Sequence, residues 1–396
     1  MRTCIVAIPT KDEAERLPAC LSALAAQTDS SGRSLDSGAF GVAIFANNCV
    51  DESAEVARSM APGLPFPLRV FEASLLPPFA HAGGARRTAM DLAETWLLER
   101  SQHDGVILTT DADSRVSRDW IANNVAAIDA GADAVLGRIV LDEEGELLPE
   151  TLHRRGALES AYEALLTEIA ALLDPLDYNP WPHHATISGA TLAVTRDAYR
   201  RVGGLPSVPL GEDKAFIAEL SRHDARIRFC PRVEVTTSGR VNGRAPGGVA
   251  DTLRLRSETP DAFCDEALEP LPIAIMRASW RGRLRRLYHS GRLNTERDWS
   301  ASLAPRHARQ LCSAGTFGEL WSAVEASSPT LRRRLLTPAA LPAQITEARR
   351  ALERLRKGGL PFNQHVKAEG GLALAAFDFQ GALHGPDENI ASLVTG

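Results

Sequence analysis

Two carboxylates spaced i, i+2 mark the stretch of this chain most able to do chemistry, Asp111-Ala112-Asp113. They follow a short apolar run, Val106 to Leu108, which reads as a buried strand. Acids at a strand end leave the sheet into a loop, where both can turn towards one point in a cleft. That point suits a hard divalent cation, which takes oxygen ligands and keeps positions open for phosphate oxygens. The competing reading is a polar turn after a strand, with Asp favoured for its bonds to the backbone.

The elements that must position this pair are legible around it. Thr3 to Ile8 is an apolar run that stops at Pro9 and reads as a central strand. A helix is expected from about Glu13, with Leu17, Leu21 and Leu24 as its apolar stripe and Asp12 as N-cap. Further strands are expected at Phe40–Ala46, Leu68–Glu72, Ala134–Leu141, Ala190–Thr195 and Arg226–Val235. Helices are expected at Glu52–Met60, Ala85–Arg100, Leu152–Leu173 and Arg196–Val202, with another opened by Gly211-Glu212-Asp213 and running to about His223. Strands alternating with helices imply a parallel, doubly wound sheet covered on both faces. Ligands of such sheets sit outside the carboxyl ends of the strands, where Pro9, Asn47 and Asp111 all fall.

Composition bounds the rest. A chain of 396 residues is long enough for two domains, or for one domain with an appendage. Its apolar fraction of 44% and charged fraction of 24% are those of an ordinary globular protein. The net charge of -6 argues against a general nucleic-acid binder, while local arginine clusters leave an anionic ligand open. Six scattered cysteines form no CxxC pair, so no zinc site or disulfide framework is expected, and the reading is a reduced cytoplasm. The first residues enter a strand at once, without the pattern of a signal peptide. No apolar run approaches the roughly 20 residues that span a bilayer.

Taken in series, the motifs resemble those of the family 2 glycosyltransferases of GT-A fold. Ile8-Pro9-Thr10-Lys11-Asp12-Glu13-Ala14-Glu15-Arg16-Leu17 looks like that family's opening strand and loop. Asn47-Asn48-Cys49-Val50-Asp51-Glu52-Ser53 sits where the family carries an Asp-rich turn. Gly83-Gly84-Ala85-Arg86-Arg87 loosely resembles a Gly-x-x-x-Ala-Arg-Asn segment, and Asp111-Ala112-Asp113 the metal-binding motif. Ser188-Gly189-Ala190, Val202-Gly203-Gly204 and Gly211-Glu212-Asp213 resemble the acceptor-side half. The resemblance covers about residues 1–250 and implies a GT-A type doubly wound domain, a nucleotide-sugar half to about residue 115 and an acceptor half to about 250.

What the resemblance implies is transfer of a sugar from a nucleotide-diphosphate donor to a hydroxyl acceptor, with inversion. Asp113 would be the direct ligand of Mn2+ or Mg2+, with Asp111 on ribose or metal. Such an ion can neutralise the charge that develops on a diphosphate leaving group. Asp213, with Glu212 beside it, matches the base that takes the acceptor's proton. Acids are also favoured in the first turn of a helix by its dipole. Pro9, Thr10, Glu13, Asn47 and Arg86 fall on the donor side. Asn47 stands near the usual base-reading Asp, so uracil cannot be inferred. Arg240 and Arg244, in a Gly-rich loop, could close over the diphosphate or simply be solvated. Gly189 lies on the acceptor side; His183 and His184 could touch the acceptor or be structural.

Two other classes fit parts of the pattern. A nucleotidyltransferase would also pair carboxylates on an α/β sheet, but its first loop is normally Gly-rich and basic, and Pro9-Thr10-Lys11-Asp12-Glu13 is neither. A non-catalytic sugar-nucleotide-binding module would not need both acidic pairs. Beyond residue 250 the resemblance ends, and residues 251–396 read as a mainly helical extension. Within it, Met276 to Arg292 carries an apolar stripe of Met276, Trp280, Leu284 and Leu287 flanked by arginines. The stripe suits either peripheral contact with an anionic membrane surface or packing on the catalytic domain or a second subunit in a homodimer. In the packing reading the arginines are solvated or pair with acids such as Asp142, Glu143 and Glu144.

Overall fold

The structure, a computed structural model, describes residues 2–142, 149–239, 249–296, 298–300 and 303–359. The strands are β1 (Cys4–Thr10), β2 (Phe40–Asn47), β3 (Leu68–Ala73), β4 (Val106–Thr109), β5 (Ser114–Val116), β6 (Ala134–Asp142), β7 (Leu192–Thr195) and β8 (Ile227–Ser238). The helices are α1 (Leu17–Ala25), α2 (Ser53–Met60), α3 (Ala82–Glu99), α4 (Trp120–Asp129), α5 (Glu150–Leu173), α6 (Arg196–Arg201), α7 (Glu212–Arg222), α8 (Val249–Glu258), α9 (Leu271–His289), α10 (Pro305–Leu311), α11 (Phe317–Ser327) and α12 (Leu341–Arg356). They form two compact units: residues up to Pro149 with His183–Glu258, and Glu150–Pro182 with Thr259 onward.

The first unit is built on an eight-stranded sheet of order β3-β2-β1-β4-β7-β6-β8-β5. β7 and β5 run against the other six, so the expected mainly parallel, doubly wound sheet is present. Period-two alternation in β1 divides its side chains between two cores. Cys4, Val6 and Ile8 face the core with α1 and α4, while Ile5 and Ala7 face that with α3 and α7. Helices on both faces are why β1 reads as an unbroken apolar run. Strand order reverses at β1, which has β2 on one side and β4 on the other, so the crevice opens at the ends of these strands.

Two local expectations are corrected, and two elements are added. Asp12 caps no helix: α1 starts at Leu17 with Pro18 in its first turn, and Asp12 has φ +53° and accepts a bond from Val50 N at 2.7 Å. The helix expected from Ala85 starts earlier; α3 begins at Ala82, its first turn capped by His81 Nδ1, which accepts from Gly84 N at 3.0 Å. β5 and α4 carry no clear pattern in sequence. β5 has three residues, and α4 buries Asn123 and Asn124, which bond to Arg232 O and Trp120 O.

The second unit is helical. α5, which the sequence reading kept with the first 250 residues, packs by Tyr162, Ile169 and Leu173 against Leu271 and Ile275 of α9 and Ile345 and Leu352 of α12. The α9 stripe is consumed internally. Met276, Leu284 and Leu287 are buried, and Leu284 and Leu287 join a cluster with Leu293, Trp299, Phe317 and Leu320 that Trp280 packs against. The arginines pair with acids other than those expected. Arg281 and Arg285 both bond Asp174, at 2.6 and 2.9 Å, and Arg283 meets Glu296 at 3.3 Å. Asp142 instead pairs with Arg115, and Glu143 and Glu144 lie outside the described residues. Among the described residues no helix is long and apolar enough to cross a membrane.

Candidate functional site

Arg86 is the centre of the crevice. It lies in the second turn of α3, with a side chain only 8% exposed. Its guanidinium donates to Asp111 Oδ1 from Nη2 at 2.7 Å and to Glu212 Oε1 from Nε at 3.0 Å. Nη1 donates to Gly189 O at 2.9 Å and Thr109 Oγ1 at 3.2 Å. One planar fork thus joins the end of β4, the turn before β7 and the start of α7, three segments distant in sequence. Burial opposes its charge, but Asp111 and Glu212 outweigh that and hold the guanidinium more firmly protonated than usual.

Glycines permit this convergence. A Cβ at Gly189 would lie 2.5 Å from the Arg86 guanidinium, and one at Gly83 would lie 2.1 Å from Val208 O. Gly189 also serves both sides of the site: its carbonyl accepts from Arg86, and its N–H donates to Asp213 Oδ2 at 3.2 Å. Asp213 Oδ1 accepts from Lys214 N at 2.7 Å. The Asp213 carboxyl is nevertheless pushed up from its ordinary value, by burial first and the neighbouring Glu212 charge second. The two acids of α7 therefore differ in kind. Glu212 is 12% exposed and committed to an ion pair, whereas Asp213 is half-buried, uses its bonds on backbone N–H groups and holds a proton more readily.

Asp111 and Asp113 lie in the turn between β4 and β5, closed by Ser114 N donating to Asp111 O at 3.1 Å. Two carboxylates are too few for an all-protein cage. They fit a hard divalent ion that brings phosphate oxygens with it, the usual manner of Mg2+. The chemistry nearby agrees: Thr10 and Thr110, at the ends of β1 and β4, each bury a hydroxyl that has no hydrogen-bond partner.

A second acidic cluster is a different object. Among the described residues, Asp12, Cys49 and Asp51 bring ligand atoms within 4.8 Å of one another. Three of the four carboxylate oxygens of Asp12 and Asp51 accept from the chain. Asp12 Oδ1 accepts from Val50 N, Asp51 Oδ2 from Ala14 N at 3.0 Å, and Asp51 Oδ1 from Ser53 N and Oγ. This clasp fastens the loop after β1 to the turn after β2.

The remaining expected residues are distributed unevenly. Pro9 and Thr10 end β1, and Glu13 is buried with its N–H on Ser53 Oγ at 2.8 Å. Asn47 ends β2, and its Oδ1 accepts from Leu75 N at 3.1 Å. His184 accepts from Thr186 N on Nδ1, sits edge-on to Phe229 with centroids 5.7 Å apart, and is pushed down to about 4 by burial, so it is a neutral packed ring. His183 lies 6.4 Å from the same Phe229. Arg240 and Arg244 lie outside the described residues. Sequence reading missed Thr109, and it missed that Arg86 reaches acids rather than open space. Arg87, beside it, pins the turn before α7 through Leu205 O and Gly203 O.

A family model described as Glycosyl transferase family 2 matches residues 5–200. A search of curated proteins gives no match. Solved structures resemble the chain at low identity. Residues 1–349 of S. aureus TarS in complex with UDP-GlcNAc are 16% identical with a TM-score of 0.44, over 91% of this chain and 93% of that one. A longer S. aureus TarS structure is 14% identical with a TM-score of 0.42; the match spans 90% of this chain and about half, 53%, of that one. The mannosyltransferase PcManGT from Pyrobaculum calidifontis, in complex with GDP-Man and Mn2+, is 16% identical with a TM-score of 0.43, over 88% of this chain and 86% of that one. The family match runs from β1 into α6 and takes in Arg86, Asp111, Asp113 and Gly189; residues 5–200 are a glycosyl transferase family 2 domain.

Proposed function

We propose that this glycosyltransferase moves a sugar from a nucleotide-diphosphate donor to a hydroxyl acceptor with inversion, and that it uses Mn2+ or Mg2+. The observation that carries the reading is the meeting of Asp111 and Glu212 on one buried guanidinium, with Asp213 linked to it through Gly189. It sets a donor-side carboxylate beside an acceptor-side pair at the mouth of a topological switch point.

In this reading Asp113 and Asp111 hold the metal, which when bound neutralises charge on the departing diphosphate. Pro9, Thr10, Glu13 and Asn47 line the donor side. Asp213 is the base. Direct displacement needs a group that takes the acceptor's proton as its oxygen attacks, and a carboxylate with a raised pKa takes it more readily than an ordinary one. Glu212 is a poorer candidate for that task because Arg86 occupies one of its oxygens. Residues 1–258 without 150–182 form the catalytic unit, and the helical unit has a separate role.

A thermal-shift screen of UDP, GDP, ADP and CDP with and without Mn2+ or Mg2+ tests the reading. Stabilisation by one nucleotide that requires the metal is expected, since a ligand bound only by the folded state raises its melting point. No stabilisation by any metal–nucleotide pair would remove it.

A further inference from the structure

Arg86 holds an oxygen of Asp111, the same carboxylate that the proposed metal site requires. It also holds Glu212, on the acceptor side. One positive charge is thus divided between two carboxylates on opposite sides of the crevice. We propose that Arg86 is a positioning residue that couples the two sides, so that the charge on Glu212 sets how strongly Asp111 is withheld from a divalent cation. The inference rests on the reading of Asp111 as a metal ligand.

The physical argument is competition for one guanidinium. With Glu212 ionised, Arg86 shares its charge, and Asp111 has an oxygen to offer: its side chain is 33% exposed, against 8% for Arg86. With Glu212 neutral, the buried guanidinium has one carboxylate left and must keep it, because an unpaired buried charge is costly. Metal binding then has to break a stronger pair. Coupling of this kind is reciprocal, so a cation on Asp111 returns Arg86 to Glu212 and firms the acceptor-side start of α7. Gly189 fits the same design. Its carbonyl is bound by Arg86 and its N–H binds Asp213, so a shift of the guanidinium reaches the proposed base through one residue.

A through-space effect would have the same sign, since removing any nearby negative charge weakens a cation. Asp213 separates the two. It neighbours Glu212, but its side-chain oxygens bond Gly189 N and Lys214 N. The experiment measures Mn2+ affinity of the full chain by calorimetry in the presence of the nucleotide that the thermal screen selects. Glu212→Gln is expected to weaken Mn2+ about fivefold or more, the lower end for coupled sites. Asp213→Asn is expected to weaken it by about twofold or less, as for a screened charge without a shared partner. In an Arg86→Gln background the effect of Glu212→Gln should vanish. Equal losses for Glu212→Gln and Asp213→Asn, or no loss for Glu212→Gln, would overturn the coupling, and both comparisons stand if Arg86→Gln does not fold. Wild-type protein that binds no Mn2+ would instead overturn the metal reading beneath it.

Discussion

The molecule buries two guanidinium groups in the same chemical setting and uses them differently. Arg86 in the first unit and Arg277 in the second are each about nine-tenths buried, and each touches two carboxylates and a backbone carbonyl. Burial opposes both charges, and neighbouring acids restore both. The partners differ. Arg277 is gripped by both oxygens of Glu269, itself 4% exposed, and by Glu325. Arg86 takes one oxygen from each of two acids, and Asp111 is one-third exposed. Beside Arg86 stands Asp213, whose carboxyl is pushed up by burial and by Glu212. Burial of a charge therefore does not mark a site. One exposed partner does not either, since Glu325 beside Arg277 is 32% exposed and Asp111 33%; a buried charge that joins such a partner to an acid pair with a raised carboxyl does.

Breaking the scaffold arginine is the harsher change. Arg277→Met leaves Glu269 charged and buried without its fork, and loss of one partner from a buried pair costs about 3–5 kcal/mol. Denaturant unfolding is the measurement, with a lowered midpoint expected. A cost below about 1 kcal/mol would make Arg277 no more than a surface pair.

Asp213→Asn attacks the other side of the comparison. It keeps size and some hydrogen bonding but cannot accept a proton. Turnover should fall on the order of 10²-fold or more, with nucleotide affinity nearly kept. Turnover within a few-fold of wild type would move the base elsewhere, Glu212 first. Asp113→Ala should abolish metal-dependent nucleotide binding and leave the fold intact; unchanged Mn2+-dependent affinity would remove the metal role.

Gly189→Ala presses on the hub without altering a charge. Its methyl group would lie 2.5 Å from the Arg86 guanidinium, so the arginine must move. Overpacking of this kind costs about 1–3 kcal/mol. If the hub matters to the site, Mn2+-dependent nucleotide binding weakens together with stability. A melting point and affinity equal to wild type would show that the guanidinium has room to give.

The same contrast explains what could be read from sequence. The sheet was legible because β1, β2 and β4 are buried on both faces and so run apolar without interruption. Asp111, Asp113, Glu212 and Asp213 were legible because they stand at a strand end and a helix start, where a chain exposes side chains to a crevice. Their convergence was not, since Arg86 meets partners 25 and 126 residues away, and nothing local records a contact of that range. α4 was missed because two buried asparagines interrupt its stripe, and each is satisfied by a carbonyl that only the fold supplies. The α9 stripe was read correctly as a stripe, yet its arginines find Asp174 and Glu296 rather than acids such as Asp142.

The smallest expected effect is on stability, and it is the sharpest test of the contrast. A carboxyl whose folded pKa lies above its unfolded value binds protons more readily in the native state. Stability then falls as pH rises through that window, because ionising the group costs more in the fold than in the open chain. Asp213 is in this position, through burial first and Glu212 second. At neutral pH its charge is a burden on the fold, and Asp213→Asn removes that burden while keeping an oxygen for Gly189 N or Lys214 N. The variant should melt at or above wild type at pH 7. The difference should shrink as pH drops towards the ordinary carboxylate range, where wild-type Asp213 is also neutral. Asp174 gives the opposite sign within the helical unit. Burial alone would push it up, but Arg281 and Arg285 outweigh that and hold its carboxyl below the usual range. Asp174→Asn should therefore melt below wild type at pH 7, with the deficit shrinking only in stronger acid. Melting curves of both variants from neutral to acid pH make the check. If Asp213→Asn loses stability at pH 7 as Asp174→Asn does, then Asp213 is a structural partner like Asp174, and the distinction between the two kinds of buried charge fails at the residue where it matters most.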